Sequence, residues 1–453
     1  MEINTAIVAG TGKSGISATR LLVNHGVKVY LFDENKDRDI EAIKEKTGDS
    51  ELVKIELGEL GEDALSSSQL MVISPGIPVD APFTDVVRNA GIPIWSEIEL
   101  AYHYGKGKIA AITGTNGKTT TTALVGEIVK AHNAKTIVVG NIGIPYTELC
   151  DTTDDDSDTV AEISSFQLET VIDFHPNVSA ILNLTPDHLN RHYTFENYGN
   201  VKFSITKNQT MDDVTVLNYD DEHTRAMGEK AKDHCHVVYF SRLEKPAGGV
   251  YVEDGDIILE DGDKKINVLA IKDLKLMGAH NVENVLAAVG ISYYMGVPVD
   301  VIRDVATSFK AVAHRIEYVD TIDGVAYYND SKGTNPDAAI KGIQAMVAPT
   351  FLIGGGYDKG SEYDEWIEAF DGKVKWLVLI GQTAQKIADC AKRHGFNSII
   401  FEENLQDAVA YCHENAVDGD AVLLSPACAS WGQFDNYEQR GDMFKEYVRS
   451  YKE

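Results

Sequence analysis

Ile109-Ala-Ala-Ile-Thr-Gly-Thr-Asn-Gly-Lys-Thr-Thr120 decides how this chain is read. An apolar run leads into a glycine turn, and Lys118-Thr119 stand at the mouth of the helical pattern that follows. Glycines let backbone N–H groups close on phosphate oxygens, and the positive end of a helix dipole faces the same anion. In such a loop Gly114, Thr115, Asn116, Gly117 and Thr120 cradle a nucleoside triphosphate. Lys118 reaches its β- and γ-phosphates, and the Thr119 hydroxyl ligates Mg²⁺. The common pattern places a further glycine where Ile112 stands, so the loop here is the shorter Gly114–Thr119. The alternative is a glycine-rich strand-to-helix turn with a solvated lysine.

Outward from this loop, apolar strand-like runs alternate with helical patterns, which predicts an α/β protein with mainly parallel sheets. The 453 residues divide into three expected domains. Residues 1–96 read as a Rossmann-like domain, with strands at Thr5–Ala9 and Val27–Phe32 around a helix from about Ser14 to His25. Residues 97–311 carry the phosphate loop on a mainly parallel sheet, with a small antiparallel hairpin at 250–268 and a helix at about 280–296. Residues 312–453 read as a second Rossmann-like domain, with strands at Val325–Tyr328, Thr350–Ile353, Trp376–Ile380, Ser398–Phe401 and Ala421–Leu424. Hinges are expected near Ser96 and Val312.

A net charge of −29 disfavours a broad nucleic-acid or anionic-membrane surface. It leaves room for small anionic substrates held by local cations. No run is long or apolar enough to span a bilayer, and Met1–Gly10 reads as a first strand rather than a signal peptide. The five cysteines include no C-x-x-C pair, which fits a reduced cytosolic setting.

Gly10-Thr-Gly-Lys-Ser-Gly15 fits G-x-G-x-x-G, and Asp33 ends the next strand. By the general rule this is a dinucleotide fingerprint, which taken alone suggests a nicotinamide- or flavin-dependent oxidoreductase. The glycine turn recognises a pyrophosphate, however, and a UDP-sugar would serve as well. Ser74-Pro-Gly-Ile-Pro78 either borders the same crevice or is a type II turn made by Pro-Gly. After the phosphate loop, Asn141 follows a strand, where α/β sites form. Glu162 ends another strand as a natural hard-oxygen ligand for Mg²⁺. Asp187-His188 follow a third.

These segments resemble, in order and over the whole chain, the Mur ligase family of ATP-dependent amide-forming enzymes of peptidoglycan synthesis. The shared stretches are 110–120, Gly140-Asn-Ile-Gly143, Glu162-Ile-Ser-Ser-Phe-Gln-Leu-Glu169, Asn183 to His188, His280 to Asn284, His314-Arg315, Asn329 to Thr334, Leu424 to Ser430 and Asn436 to Gly441. The stretches 162–169 and 424–430 point to the branch that adds D-glutamate. The Asp-Asn-Pro-Arg signature of the diaminopimelate-adding branch is missing.

The resemblance implies ATP and two Mg²⁺ ions. Thr119 and Glu162 would hold the first ion, and His188 would hold the second with Lys202, the family's carbamylated lysine. Unaided, Lys202 reads as a solvated helix lysine. Asn281 and Asn284 would face adenine, and Arg315, Asp330 and Lys332 would serve the phosphates as the third domain closes. Catalysis would rest on Lys118, His188, Lys202, Arg315 and Lys332. UDP-N-acetylmuramoyl-L-alanine would be held by Gly12, Lys13, Ser14, Gly15, Asp33, Ser74, Gly76, Asn141, Ser164 and Gln167. D-Glutamate would meet Thr334, Lys359, Ser430 and Tyr437. Lys359 is a cation suited to a dicarboxylate, although it also reads as a surface lysine after a glycine turn. The chain departs from relatives at Asn190, where a second acidic residue is usual, and at Glu34-Asn35 beside the uracil. The implied protein is a cytoplasmic monomer; another Mur-type amide ligase, an oxidoreductase and a non-catalytic homologue are the competing readings.

Overall fold

The computed structural model describes residues 3–141, 143–276, 278–310 and 313–452. Val312, where the third domain and a hinge were expected, lies outside them. The chain forms two compact units, one of residues 1–273 and 283–307, the other of 274–282 and 308–453.

The first unit holds two sheets. The N-terminal one is wholly parallel, in the order Val53–Leu57, Lys28–Asp33, Thr5–Ala9, Leu70–Ile73, Ile94–Ser96. Ala6–Ala9 and Leu70–Ile73 are apolar without alternation and buried, as strands covered on both faces must be. Strand order reverses at Thr5–Ala9, so a crevice opens beyond its end and that of Leu70–Ile73. Gly10 and Ser74 stand there. Ile77 N–H closes the expected turn on the Ser74 carbonyl at 3.0 Å. Gly76 is not among the glycines at positive φ, so the turn is not type II, which requires positive φ at that position.

The second sheet has nine strands, in the order Lys264–Ala270, Asp256–Asp261, Gly249–Glu253, His236–Ser241, Val214–Asn218, Val178–Ile181, Lys108–Thr113, Asp158–Glu162, Ile137–Gly140. Only its first three strands run antiparallel. The expected hairpin is thus a three-stranded meander, and it continues the main sheet through parallel pairing of Phe240 with Val250. Two tight turns make it: Asp254 and Gly255 both take positive φ (52° and 87°), and Gly262 does so again (57°), the left-handed backbone that two-residue hairpins favour.

The second unit carries a six-stranded sheet, in the order Glu317–Ile322, Val325–Asn329, Ala421–Leu424, Thr350–Gly354, Val374–Leu379, Ile399–Phe401. The first strand was not anticipated. It is a half-exposed antiparallel edge turned by Asp323-Gly324, both at positive φ (49° and 79°), and its mixed polarity hides it. Ala421–Leu424 sits between the strands that precede the loops at 330 and 355, so three loops meet at one end of this sheet. Among the described residues no helix is long and apolar enough to cross a membrane.

Candidate active site

The strand Lys108–Thr113 passes through Gly114–Gly117 into the helix Lys118–His132. Gly114 and Gly117 take φ of 147° and 84°, which only glycine adopts at little cost. Gly117 caps the helix with no side-chain cap bond, at the helix end whose dipole favours an anion. Asn183 Oδ1 accepts from Asn116 N–H at 2.8 Å, and Asn183 Nδ2 donates to the Asn116 carbonyl at 3.0 Å. Thr115 is tied to Thr185 and Tyr198. Lys118 Nζ donates to the carbonyls of Gly114 and Thr115 at 2.9 and 2.8 Å, so it lies folded over the loop. Thr119 and Thr120 are buried at the helix start. Asn284 stands behind the loop: its Oδ1 accepts from Thr121 at 3.3 Å, and a Cβ on Gly117 would come within 2.3 Å of it.

Glu162 ends the neighbouring strand, paired with Ile112. Its Oε1 accepts from Asn141 Nδ2 at 2.8 Å, while its buried Oε2 has no hydrogen-bond partner. An orphaned buried carboxylate oxygen on the strand next to the one that leads into the phosphate loop fits Mg²⁺, a hard cation that takes oxygen ligands. His188 begins a short helix at φ 53° and lies 3.4 Å from the Asp187 carboxylate. A left-handed non-glycine residue costs roughly 1–2 kcal/mol, and such strain collects at working sites.

Lys202, on the helix Phe195–Phe203, is the clearest departure from the residue-level expectation. It is 1% exposed, not solvated. Its Nζ donates to the Gly114 carbonyl at 2.9 Å and to Thr113 Oγ1 at 3.3 Å, and it lies over the Tyr198 ring. Burial, with the Lys118 ammonium beside it, drives its pKa well below the ordinary lysine value, against the pull of Asp187 and Glu162. A neutral amine is a nucleophile; as an amine it offers no oxygen to Mg²⁺.

The N-terminal crevice encloses about 510 Å³ and is lined by Gly12, Lys13, Ser14, Asp33, Ser74, Gly76, Asn141 and Gln167 among others. Residues expected to serve one substrate are thereby gathered from both sheets of this unit. Gly12 likewise caps the helix Lys13–Asn24 with no side-chain cap bond. Ser74 Oγ is buried without a partner. Lys13 donates to the Gly143 carbonyl. Asp33 accepts from Thr11 Oγ1 at 2.6 Å and Asn35 N–H at 3.0 Å. Burial works to raise its pKa, but those bonds and Arg38 outweigh it and hold the carboxyl below the usual range.

Gly15 and Ser164 do not line the crevice. A Cβ on Gly15 would lie 1.8 Å from the Gly10 carbonyl oxygen, so this glycine lets helix and strand meet. Ser164 and Gln167 form a reciprocal helix cap, and Gln167 Nε2 donates to the buried Glu97 at 3.2 Å. Glu97 ties down Thr147 as well. Nothing in the local sequence marks it, nor Arg191, whose guanidinium bridges Glu169 and the Ile77 carbonyl.

In the second unit the loops after Asn329, Gly354 and Leu424 carry the remaining candidates. Asp330 is fully buried, accepts from Ser425 Oγ at 2.8 Å and lies 3.8 Å from Arg315. Burial pushes its pKa up to about 6, against the pull of Arg315 and those hydrogen bonds. Lys332 stands over the Tyr437 ring, and Thr334 N–H donates to the Lys332 carbonyl. Lys359 lies 4.6 Å from the Trp431 ring centroid, next to the buried Ser430. The Tyr357–Ala429 bridge joins these two loops. Arg440, which sequence gave no reason to expect inside, is buried and donates to the Ser331 and Cys428 carbonyls. Asn281 lines a cavity with Lys310, Tyr318 and Tyr328. Beside Asn281 in sequence, His280 is held neutral: burial, reinforced by Arg315 and Lys341, pushes its pKa down to about 4.

Residues 112–292 match the Mur ligase middle domain, 314–428 the Mur ligase glutamate ligase domain, and 4–96 the MurD-like N-terminal domain of Mur ligases. The chain is 56% identical over 450 residues to the UDP-N-acetylmuramoylalanine–D-glutamate ligase of Lachnospira eligens, covering 99% of each chain. It is 51% identical to that of Lachnoclostridium phytofermentans, covering 99% of this chain and 98% of the relative. Its fold is similar to that of UDP-N-acetylmuramate-alanine ligase MurC from Thermotoga maritima, with TM-score 0.62 at 19% identity over the full length of both chains. MurF from Acinetobacter baumannii gives TM-score 0.62 at 16% identity, covering 97% of this chain and 93% of that one. Matched along almost its whole length and carrying the phosphate loop, the buried lysine and the half-satisfied Glu162 carboxylate in one place, the chain belongs to the Mur ligase family.

Proposed function

We propose that the chain is an ATP-dependent ligase that joins D-glutamate to UDP-N-acetylmuramoyl-L-alanine in the cytoplasmic assembly of peptidoglycan precursor. The observation that carries the ligase reading is the convergence of Lys118, Glu162 and Lys202 on Gly114–Thr119 at neighbouring strand ends. The two substrates are taken from the names of relatives at 56% and 51% identity. Division into domains 1–96, 97–311 and 312–453 is supported by the three separate sheets.

UDP sits in the N-terminal crevice, its diphosphate at the N–H groups of Gly12–Ser14 and Ser74 Oγ, its uridine toward Asp33. ATP phosphates lie on Gly114–Thr120 under Lys118, with adenine toward Asn284. The substrate carboxylate attacks the γ-phosphorus; an O–P bond forms, ADP leaves, and an acyl phosphate results. The D-glutamate amine then attacks the acyl carbon, and inorganic phosphate leaves. Lys332 and Arg315, the latter fixed by Asp330, would be the cations the second unit offers to a phosphoryl group. Thr334, Lys359, Ser430 and Tyr437 receive the amino acid, Lys359 supplying a cation for a carboxylate. Two Mg²⁺ ions, one at Thr119 and Glu162 and one at His188 and modified Lys202, would offset phosphate charge. For the second ion, the amine form of Lys202, which burial favours, would add to CO₂: an N–C bond forms as one C–O π bond opens, the nitrogen gives a proton to solvent, and the carbamate would offer oxygen ligands.

Phosphate release measured against a panel of acceptors and amino acids tests the assignment. Release should require ATP, UDP-N-acetylmuramoyl-L-alanine and D-glutamate together. Release with L-glutamate or L-lysine but not with D-glutamate would overturn the specificity.

A further inference from the structure

Asp364, on the helix Asp364–Glu368, faces the last turn of the helix Ala384–Arg393. One carboxylate oxygen of Asp364, Cys390 Sγ and a ring nitrogen of His394 all lie within 4.8 Å of one another. Asp364 Oδ1 and His394 Nε2 are 2.8 Å apart. We propose that Asp364, Cys390 and His394 form a binding site for a divalent transition metal of the zinc type, with water as fourth ligand. None of the three belongs to the loops assigned above to nucleotide or amino acid.

Four features support the assignment. Cys390-x-x-x-His394 spaces sulfur and imidazole one helical turn apart, which puts both on one face. Thiolate, imidazole and carboxylate together suit zinc and disfavour Mg²⁺, which prefers oxygen throughout. Tetrahedral zinc, with ligand bonds of about 2.0–2.3 Å, places its donor atoms roughly 3.3–3.8 Å apart. The cluster meets that spacing after small movements of Asp364 and His394, whose side chains are 44% and 25% exposed. The other imidazole nitrogen, Nδ1, is 3.7 Å from Glu368 Oε1, the carboxylate partner that commonly orients a metal-binding histidine.

A second cluster, Glu99, His103 and Asp173, meets the same distance limit, but its chemistry is spent. The Glu99 carboxylate already accepts three backbone N–H groups, from Ile172, Asp173 and Phe174, and no sulfur is present. At the proposed site only Arg393, 3.4 Å from Asp364 and exposed, competes, and such a pair is worth little. Metal binding replaces the Cys390 S–H bond with an S–metal bond and releases the proton to solvent. It would staple together two helices that follow the segment carrying Lys359; Lys386, on the second of them, already reaches Asp358 at 3.8 Å.

The test is titration of the chelator-treated full chain with Co²⁺, followed by absorption. One equivalent should produce a thiolate-to-cobalt charge-transfer band in the near ultraviolet, which Zn²⁺ removes. Cobalt at the oxygen ligands of a Mg²⁺ site gives no such band. Cys390→Ser should abolish it, and His394→Ala should weaken Co²⁺ affinity at least tenfold, with ligase turnover in saturating Mg²⁺ unchanged in both. Absence of the band in the wild type, or its survival in Cys390→Ser, overturns the proposal. Should Cys390→Ser fail to fold, Asp364→Asn decides: Co²⁺ affinity equal to wild type overturns the site as well.

Discussion

Asp330→Asn should stabilise the C-terminal unit while impairing catalysis. Asp330 is fully buried, and its pKa is pushed up to about 6 from the ordinary aspartate value of 3.8. Between these values the folded chain holds more protons than the unfolded one, so stability falls as pH rises through the interval. A rise of about two units costs roughly 3 kcal/mol once both states are ionised. The cost is about 1 kcal/mol at pH 4.5 and nearly the full amount at pH 7.5, so about 2 kcal/mol accrues between them. Asparagine removes the charge and keeps an oxygen for Ile316 N–H and an amide for Ser425 Oγ, the present partners. The assay is urea unfolding followed by tryptophan fluorescence. Three of the four tryptophans, Trp366, Trp376 and Trp431, lie in this unit, so the signal reports chiefly on it. The stability difference between variant and wild type should widen by about 2 kcal/mol from pH 4.5 to 7.5, while kcat falls because Arg315 loses its partner. Parallel pH profiles for the two proteins would refute the claim that a buried, ionised Asp330 strains the fold.

Two further substitutions probe the phosphate loop. Gly117→Ala must hold φ near 84° and place a Cβ 2.3 Å from Asn284 Oδ1; the backbone term alone is roughly 1–2 kcal/mol, and the KM for ATP should rise about tenfold or more. An unchanged KM in initial-rate measurements would remove the loop from the nucleotide site. Lys202→Ala should lower kcat by about 10- to 100-fold, the scale on which disturbing a metal's surroundings acts. Formate or acetate should restore part of it by filling the carbamate position, and ¹³C-bicarbonate should give a carbamate resonance in the wild type that is missing in the variant. No rescue and no resonance would leave Lys202 a buried structural amine.

How much of this was legible in the sequence depends on whether a residue's role is local. The glycine loops could be read because Gly12 and Gly117 each cap a helix within their own few residues, and glycine-to-helix is a short-range pattern. Glu162 could be read because a strand end fixes where its side chain emerges. Lys202 could not be read from its surroundings in sequence. Its burial comes from packing the helix Phe195–Phe203 against a loop some ninety residues earlier, and only family resemblance pointed to it. Glu97, Arg191 and Arg440 failed for the same reason: each is held by residues distant in the chain. Gly15 is a different case, a motif glycine whose visible role is close helix–strand contact, where a Cβ would lie 1.8 Å from the Gly10 carbonyl oxygen. The edge strand Glu317–Ile322 was missed because a half-exposed strand lacks the apolar run that betrays a buried one.

The net charge of −29 sits oddly with anionic substrates until the cations are placed. Lys13 and Arg38 line the N-terminal crevice, Lys118 and Lys202 meet on the Gly114 carbonyl, and Arg315, Lys332 and Lys359 sit on or beside the loops at one end of the last sheet. In every case they stand at the C-terminal ends of parallel strands, where helix N-termini add positive field. Acidic residues elsewhere set the net charge, and such distant exposed charges are screened beyond about 8–10 Å at physiological salt. The local field therefore governs what binds. It also bears on Lys202, where burial and the Lys118 ammonium disfavour a second full positive charge; the proposed carbamate would place an anion beside Lys118 instead. The fold thus places an amine where the ammonium form is disfavoured, and the proposed carboxylate-like ligand would relieve that cost.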